Sequence, residues 1–196
     1  MPAIDIEWLT THLKDENLIS NYPIFVETGT YLGKTITNME PHFKKLYTIE
    51  IKEDLYNRSK SRYLNYVKMF RYKKSKIDFL LGDSGEMIGK LCPNLKYNVV
   101  FFLDSHWSAG ITGRGEKDCP LYEELTSIIE KFCKKCIIII DDVRLFGKGP
   151  NNGESECDWE DINTKKIISI LGDRLRDHHF APSDLDEKDR LCLYLE

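Results

Sequence analysis

The chain lacks any hydrophobic run long enough to cross a membrane. Its longest apolar candidates are Val99–Leu103 and Cys136–Ile140, far shorter than the ~20 residues of a spanning helix. The N-terminal segment Met1–Glu7 has neither the basic stretch nor the apolar stretch of a signal peptide. These absences predict a protein without a membrane span that works in the cytoplasm, or in the host cytoplasm if the chain is viral.

An excess of basic residues is also absent. The chain has 28 Lys and Arg residues against 32 Asp and Glu residues, which gives a formal net charge of -4. A domain that binds duplex nucleic acid normally carries a basic excess, so we expect no nucleic acid partner. A hydrophobic content of 41% excludes a disordered chain. The length of 196 residues predicts one domain, residues 1–196.

Paired cysteines are scarce as well. Among six cysteines, only Cys133 and Cys136 have the spacing of a metal or redox pair, and no second pair completes a zinc site. A thioredoxin-like pair follows a strand and opens a helix, whereas this pair is expected to close a helix and lead into a strand. The sequence therefore predicts reduced thiols rather than metal or redox chemistry.

Short apolar runs rich in β-branched and aromatic residues alternate with segments of helical periodicity. The predicted strands are Ile24–Thr28, Leu46–Glu50, Ile77–Leu81, Val99–Asp104 and Ile137–Asp141, followed by two terminal runs, His178–Ala181 and Leu191–Leu195. The predicted helices are Asp5–Leu18, Lys34–Phe43, Glu53–Phe70, Ser84–Leu91, Leu121–Lys135 and Trp159–Leu171. This alternation predicts a doubly wound α/β domain, with a parallel sheet covered by helices on both faces.

Each of the first five strands ends in a carboxylate or a glycine turn. In an open α/β sheet the ligand lies beyond these carboxyl ends, and five acidic ends on one edge would repel each other without a functional reason. The first turn, from Gly29 to Thr35, can present helix N-terminal amides to an anionic group. Its glycine spacing fits neither a phosphate loop nor a dinucleotide fingerprint. A tight turn that simply needs glycine is the alternative interpretation.

Two further acidic residues fit a nucleoside ligand. Glu50 follows Gly33 by 17 residues and ends the second strand, where it can accept hydrogen bonds from ribose hydroxyls. Asp83 ends the third strand and can accept a hydrogen bond from an adenine amino group. The alternative for Asp83 is an N-cap of the helix that begins at Ser84, and the two roles can coexist.

The ordered segments Phe25–Thr35, Tyr47–Glu50, Leu81–Ser84, Phe102–Trp107 and Ile139–Asp142 resemble those of class I S-adenosylmethionine (SAM)-dependent methyltransferases. The resemblance implies a Rossmann-like, seven-stranded sheet with strand order 3-2-1-4-5-7-6 and an antiparallel seventh strand. It also implies that Glu27 contacts the methionine amino group, and that Tyr31 replaces a glycine frequent in the family. The implied cofactor-binding residues are Glu27, Thr28, Gly29, Thr30, Tyr31, Gly33, Thr35, Glu50, Ile51, Asp83, Ser84 and Asp104.

The fourth and fifth strand ends point to the methyl acceptor. Asp104, Asp141 and Asp142 resemble the three carboxylates that hold Mg²⁺ in sugar and macrolide O-methyltransferases. Neighbouring strands lie ~4.8 Å apart, so their ends can share a divalent cation, Mg²⁺ or Mn²⁺. Support of loop amides is the alternative role for these aspartates. In the same enzymes the position of His106 carries the catalytic base, and Asp104 is included with it in the predicted catalytic pair. A solvent-exposed or loop-capping histidine is the alternative interpretation of His106.

The loop composition together with Asp104–Trp107 most resembles methyltransferases that decorate polysaccharides, and this resemblance implies a sugar hydroxyl of a glycan as the acceptor. Trp107, Arg114 and Arg144 are the candidate acceptor residues, and the loops Ser108–Asp118 and Phe146–Cys157 are candidate acceptor lids. The segment after the fourth strand lacks the signature of amino-methylating DNA enzymes, which disfavours base methylation. Similar domains sit beside glycosyltransferases in bacterial and large-virus glycan pathways, so glycosyltransferase domains are expected partners, and the chain is expected to be a module of a longer protein.

Two other functions stay open on the sequence alone. One is a small-molecule, catechol-like O-methyltransferase that would use the same metal site. The other is a SAM-binding partner subunit without catalysis, against which the full set of strand-end carboxylates and His106 argues. A nicotinamide-dependent dehydrogenase is excluded because the first turn lacks the required glycine spacing.

Overall fold

A computed structural model of the chain describes residues 3–69 and 74–196. Within these residues seven strands form a single sheet with the order β3-β2-β1-β4-β5-β7-β6. The strands are β1 (Ile24–Thr28), β2 (Lys45–Glu50), β3 (Ile77–Leu81), β4 (Val99–Leu103), β5 (Cys136–Ile140), β6 (Leu175–Ala181) and β7 (Arg190–Leu195).

Strands β1 to β5 are parallel, and β7 is antiparallel to both β5 and β6. The central strands β1, β4 and β5 are buried along their whole length, which is why the sequences of β4 and β5 are continuously apolar rather than alternating. This arrangement confirms the predicted fold class and strand order. It also places the carboxyl ends of five strands at one edge of the sheet.

Helices cover both faces of the sheet. They are α1 (Ile6–His12), α2 (Leu18–Asn21), α3 (Lys34–Met39), α4 (Glu53–Met69), α5 (Ser84–Leu91), α6 (Leu121–Lys131) and α7 (Thr164–Leu171). One buried cluster includes Ile88, Leu125 and Ile167 from α5, α6 and α7. The cluster on the opposite face includes residues of α1, α3 and α4, so each face has its own core.

The predicted N-terminal helix Asp5–Leu18 is wrong as a single element. Asp5 caps α1 by accepting a hydrogen bond from the Trp8 amide at 2.8 Å, and the helix ends at His12 because Leu13 is extended. Asp15 then accepts hydrogen bonds from the Asn17 amide and the Asn21 side chain. Such local side-chain bonds compete with a continuous helix, so the second helix begins only at Leu18.

Three other predicted helices are shorter in the structure. The first ends at Met39 rather than Phe43, just before Pro41, which lacks the amide hydrogen that a helix needs. The second ends at Lys131 rather than Lys135, because Phe132 is extended. The third begins at Thr164 rather than Trp159, since Asn163 caps it through the Lys166 amide at 2.9 Å.

The remaining predicted elements differ little from the structure. Helix α4 matches the predicted Glu53–Phe70 as far as Met69, and Phe70 lies outside the described residues. Strands β6 and β7 begin earlier than the predicted terminal runs. No helix within residues 3–69 and 74–196 is long and apolar enough to span a membrane. All six cysteines are free, and burial raises the pKa of Cys136 to about 12, so that it stays a thiol.

Candidate active site

A cavity of about 440 Å³ opens at the carboxyl edge of the sheet. Its wall is built from the turns that follow β1, β2, β3 and β4, together with the loop before α6. Nine of the residues predicted from the sequence line it: Gly29, Tyr31, Glu50, Ile51, Asp83, Ser84, Asp104, His106 and Trp107. These residues come from four separate segments of the sequence. They meet beyond the carboxyl ends of the strands, where ligands bind in open α/β sheets.

The glycine turn after β1 allows two strand ends to approach closely. Gly29 has a φ of +80°, and a Cβ atom there would overlap the carbonyl oxygen of Asp104. Tyr31 also has a positive φ of 47°, which is uncommon for a side chain other than glycine. Its amide donates to Glu50 Oε2 at 2.8 Å. This hydrogen bond helps to hold the turn at Tyr31 in its left-handed conformation.

Glu50 organises the turns on both sides of it. Its Oε2 accepts from Tyr31, and its Oε1 accepts from the Lys52 amide at 2.9 Å. The side chain is buried and lines the cavity. Since each carboxylate oxygen has a second lone pair, Glu50 can hold these two amides and still accept from a ribose hydroxyl.

Asp83 is the N-cap of α5. Its Oδ1 accepts a hydrogen bond from the Gly85 amide at 2.9 Å, which confirms the helix-capping role that was the alternative for this residue. Its Oδ2 faces Gly115 of the loop above, where an added Cβ would lie only 2.6 Å from the oxygen. The residue therefore both caps a helix and lines the cavity.

Five predicted cofactor residues lie behind the cavity wall rather than on it: Glu27, Thr28, Thr30, Gly33 and Thr35. Glu27 is buried beneath the first turn and accepts from Thr48 Oγ1 at 2.7 Å, and Thr48 in turn contacts Thr30 Oγ1 at 2.6 Å. Burial raises the pKa of Glu27 to about 8. Thr35 accepts from the Ala3 amide at 3.0 Å. In this structure these residues support the turn.

His106 lies between two of the aspartates. Its Nε2 is 3.1 Å from Asp142 Oδ2, and its Nδ1 is 3.7 Å from Asp104 Oδ1. Burial lowers the pKa of His106, an effect that the Asp142 charge opposes and the Arg144 charge reinforces. The ring also packs against Trp159, with centroids 4.9 Å apart. The imidazole is therefore held in place and favours its neutral form, which can accept a proton.

The prediction that Asp104, Asp141 and Asp142 form one metal site needs correction. Asp141 is buried and accepts a hydrogen bond from Arg190 Nε at 3.0 Å. Arg190 opens β7, the antiparallel neighbour of β5, and so lies beside Asp141. Two groups in the described part of the chain have ligand atoms within 4.8 Å of one another: Asp104, His106 and Asp142; and Asp141, Asp142 and Asp189.

The two arginines predicted to bind the acceptor are engaged in ion pairs and do not line the cavity. Arg144 Nη1 binds Asp142 and also pairs with Asp189 Oδ2 at 2.7 Å. Arg114 binds both carboxylate oxygens of Asp118, at 2.6 and 3.2 Å, and stacks on the Trp107 ring at 4.2 Å from its centroid. Trp107 is the predicted acceptor residue that reaches the cavity.

The predicted lid loop Ser108–Asp118 packs over the part of the cavity that Ile51 and Asp83 line. Its base is closed by the Trp107 amide, which donates to the Asp118 carbonyl at 2.8 Å. Lys52 Nζ donates to the Ile111 carbonyl at 2.6 Å and ties the tip to the turn after β2. A side chain at Gly113 would overlap Ile51. The other predicted lid, Phe146–Cys157, does not line this cavity.

Glu124 is a site residue that the sequence reasoning missed. It lies on α6, is almost fully buried, and accepts a hydrogen bond from Ser105 Oγ at 2.5 Å beneath the cavity. Leu121, Leu125 and Ile128 flank it on the buried face of the same helix. The sequence did contain a signal for Glu124, because the helical periodicity places this carboxylate on the buried face of the helix. A buried carboxylate needs a buried hydrogen-bonding partner.

Comparison with known proteins identifies the fold but not the acceptor. No protein-family model matches the chain, and no curated protein is significantly similar to it. A SAM-dependent methyltransferase from Clostridium acetobutylicum is similar in structure, with a TM-score of 0.56 and 12% identity over 98% of this chain and 92% of that one.

Two further solved structures are similar over most of their length. An rRNA methylase from Streptococcus thermophilus has a TM-score of 0.50 and 13% identity, covering 90% of this chain and 87% of that one. The N-methyltransferase NodS from Bradyrhizobium japonicum, in complex with S-adenosyl-L-homocysteine, has a TM-score of 0.50 and 13% identity, covering 91% and 80%. At such low identity the likeness shows the fold alone, and the chain has the fold of SAM-dependent methyltransferases.

Proposed function

We propose that this protein transfers the methyl group of SAM to a hydroxyl group of an acceptor. The observation that carries the proposal is the position of His106, which is held 3.1 Å from Asp142 beside the cavity that Glu50 and Asp83 also line. The fold supports a SAM ligand. The acidic residues at the strand ends favour a ligand that carries hydroxyl and amino donors.

The geometry supports a simple displacement. The acceptor oxygen attacks the methyl carbon, the O–C bond forms as the S–C bond breaks, and the sulfonium becomes a neutral thioether. The hydroxyl proton passes to the neutral imidazole of His106, and Asp142 stabilises the imidazolium that results. Catalysis then depends on holding the two reactants in line and on removing one proton.

A divalent cation, Mg²⁺ or Mn²⁺, fits part of the predicted set. The carboxylates of Asp104 and Asp142 are ligands that hard cations prefer, whereas Asp141 already has Arg190 as its counter-ion. Burial, followed by repulsion from Asp141 and Asp142, raises the pKa of Asp104 well above its usual range, and a cation there would offset that repulsion. When bound, such an ion would make a coordinated hydroxyl more acidic.

A sugar hydroxyl of a glycan is the acceptor that we propose. Trp107 lines the cavity and follows His106 in the chain, and an indole ring offers an apolar face on which a sugar ring can pack. Arg114 now covers part of that ring and would have to move aside. Glycosyltransferase domains that make the same glycan are the partners that fit this role.

The test is methyl transfer from isotopically labelled SAM to a panel of oligosaccharides and catechols. His106→Ala should reduce turnover by about 10²–10⁴-fold while SAM binding stays. His178→Ala, an exposed histidine on edge strand β6, is the matched control and should have wild-type activity. Transfer to catechols alone would replace the glycan assignment. SAM binding without transfer to any acceptor would instead indicate a partner subunit without catalysis.

A further inference from the structure

Three aromatic rings are in contact in the order Phe146, Trp159, His106. The indole ring of Trp159 lies between the other two, with its centroid 6.0 Å from that of Phe146 and 4.9 Å from that of His106. Trp159 is only 2% exposed and does not line the 440 Å³ cavity, whereas His106 does. Any effect of Trp159 on a reaction in the cavity would therefore have to pass through His106.

Backbone hydrogen bonds at the base of the loop 147–158 hold Trp159 in place. The Gly147 amide donates to the Trp159 carbonyl at 3.1 Å, and the Trp159 amide donates to the Lys148 carbonyl at 2.9 Å. The Ile162 amide donates to the same Trp159 carbonyl at 2.9 Å. Because these bonds close the loop, the indole ring is fixed by its own backbone as well as by its packing on Phe146.

His106 needs such a support because its polar contacts do not fix the plane of its ring. Its Nε2 lies 3.1 Å from Asp142 Oδ2, but its Nδ1 is 3.7 Å from Asp104 Oδ1, beyond hydrogen-bond distance. A contact at one nitrogen leaves the ring free to tilt, and the χ2 torsion of histidine has only broad minima. The neighbouring indole ring limits that tilt.

We propose that Trp159 is a positioning residue that holds the imidazole of His106 at the tilt needed to take the proton of the acceptor. This inference rests on the proposed function, in which His106 is the base. The indole Nε1 is buried and has no hydrogen-bond partner among the residues that the structure describes. The contact with His106 consequently depends on the bulk and flatness of the ring rather than on its N–H group.

The experiment compares Trp159→Leu with Trp159→Phe. The leucine variant loses the ring, and kcat for methyl transfer from labelled SAM should fall by about tenfold or more, since a small misplacement of a catalytic group slows proton transfer strongly. The affinity for S-adenosylhomocysteine, measured by calorimetry, should stay within about twofold. The phenylalanine variant keeps a flat ring and loses only an unpaired donor, so its kcat should stay within about threefold of wild type.

A double variant tests whether Trp159 acts through His106. In the His106→Ala background, Trp159→Leu should cause no further loss of kcat, because the group that it positions is gone. Phe132→Leu is the matched control. Phe132 is also 2% exposed and packs edge-on against Phe101 at 5.6 Å, but it does not line the cavity, so this variant should keep the wild-type kcat.

Thermal unfolding identifies the variants that fold. If Trp159→Leu does not fold, Phe146→Leu decides the question, because it removes the ring that supports Trp159 from the other side and should lower kcat without changing the affinity for S-adenosylhomocysteine.

The outcomes separate the inference from the proposed function. A wild-type kcat in Trp159→Leu, an equal loss in Trp159→Phe, or a further loss in the His106→Ala background would overturn the inference while the proposed function stands. A parallel fall of kcat and of the affinity for S-adenosylhomocysteine would show a general structural role and overturn it as well. If His106→Ala keeps full activity, or if the wild-type protein transfers no methyl group, the proposed function fails and the inference fails with it.

Discussion

Glu27 is a fully buried carboxyl group, and its replacement by glutamine should change how the stability of the protein depends on pH. Burial raises the pKa of Glu27 from 4.5 to about 8, with a smaller contribution from Glu50, although the hydrogen bond from Thr48 opposes the rise. The folded state therefore holds a proton that the unfolded chain has already lost between these two pH values. Stability from this group is fully present below about 4.5 and is lost as the pH rises through about 8.

The size of the effect follows from the shift. A difference of about 3.5 pKa units (about 8 minus 4.5) corresponds to a ceiling of roughly 5 kcal/mol at ~1.36 kcal/mol per unit. We expect about 2–4 kcal/mol, because the turn above Glu27 can relax and admit water when the carboxylate forms. Glutamine has nearly the same shape, keeps an oxygen that can accept from Thr48, and carries no charge at any pH.

Urea unfolding at a series of pH values measures the prediction. The free energy of unfolding of Glu27→Gln relative to wild type should rise between pH 4.5 and pH 8, the two pKa limits of this group. Asp104 and Asp141 also have raised pKa values and are present in both proteins. Because the Glu27 charge contributes to the raised pKa of Asp104, the difference between the two curves includes that smaller coupling. Glu130→Gln should follow the wild-type curve. Parallel curves for Glu27→Gln and wild type would refute the reasoning.

Three further predictions concern the cavity and its ions. Gly115→Ala should weaken SAM binding, measured by calorimetry, because the new Cβ would lie 2.6 Å from the Asp83 carboxylate beneath the loop. Gly149→Ala, where a Cβ would meet only ordinary contacts, should leave the affinity unchanged. Glu50→Ala should weaken SAM binding by roughly 1.5–3 kcal/mol through the loss of a charge-assisted hydrogen bond, and unchanged affinity would remove Glu50 from the site. Chelation of divalent cations should abolish methyl transfer but not SAM binding, and added Mg²⁺ or Mn²⁺ should restore methyl transfer. Asp142→Asn should have the same effect as chelation. Full activity in excess chelator would show that His106 acts without a metal.

The doubly wound fold class and the position of the cavity could be predicted because they depend on repeated local signals, whereas the strand order was implied by the family resemblance. Continuous apolar runs such as Cys136–Ile140 fit a strand that is buried on both faces, and parallel connections leave few topologies to consider. Helix ends were harder to predict because single side chains decide them. The caps at Asp5 and Asn163 are visible in the structure, but many other polar residues in the sequence have the same capacity and do not cap a helix.

The partners of the acidic residues could not be predicted, since they come from distant parts of the chain. Asp141 and Asp142 are adjacent, yet Asp141 turns to Arg190 and Asp142 turns to His106 and Arg144. Asp142 has a positive φ of 61°, which separates the directions of the two side chains. The fact that the two aspartates are adjacent in the sequence does not reveal in which direction each side chain points. Only the antiparallel pairing of β5 with β7 brings Arg190 to the site.

These partners also determine which strand-end acid is free to meet a ligand. Glu50 accepts from two amides, Asp83 caps a helix, Asp141 is paired with Arg190, and Asp142 is held by Arg144 and His106. Among the strand-end acids that the structure describes, Asp104 differs: the nearest ring nitrogen, His106 Nδ1, lies 3.7 Å from its carboxylate, beyond hydrogen-bond distance. Its side chain keeps 25% of its surface exposed and lines the cavity. A carboxylate among other carboxylates and without a donor is unfavourable until a positive charge arrives, so Asp104 is the position where the sulfonium of SAM or a divalent cation would gain most from the protein.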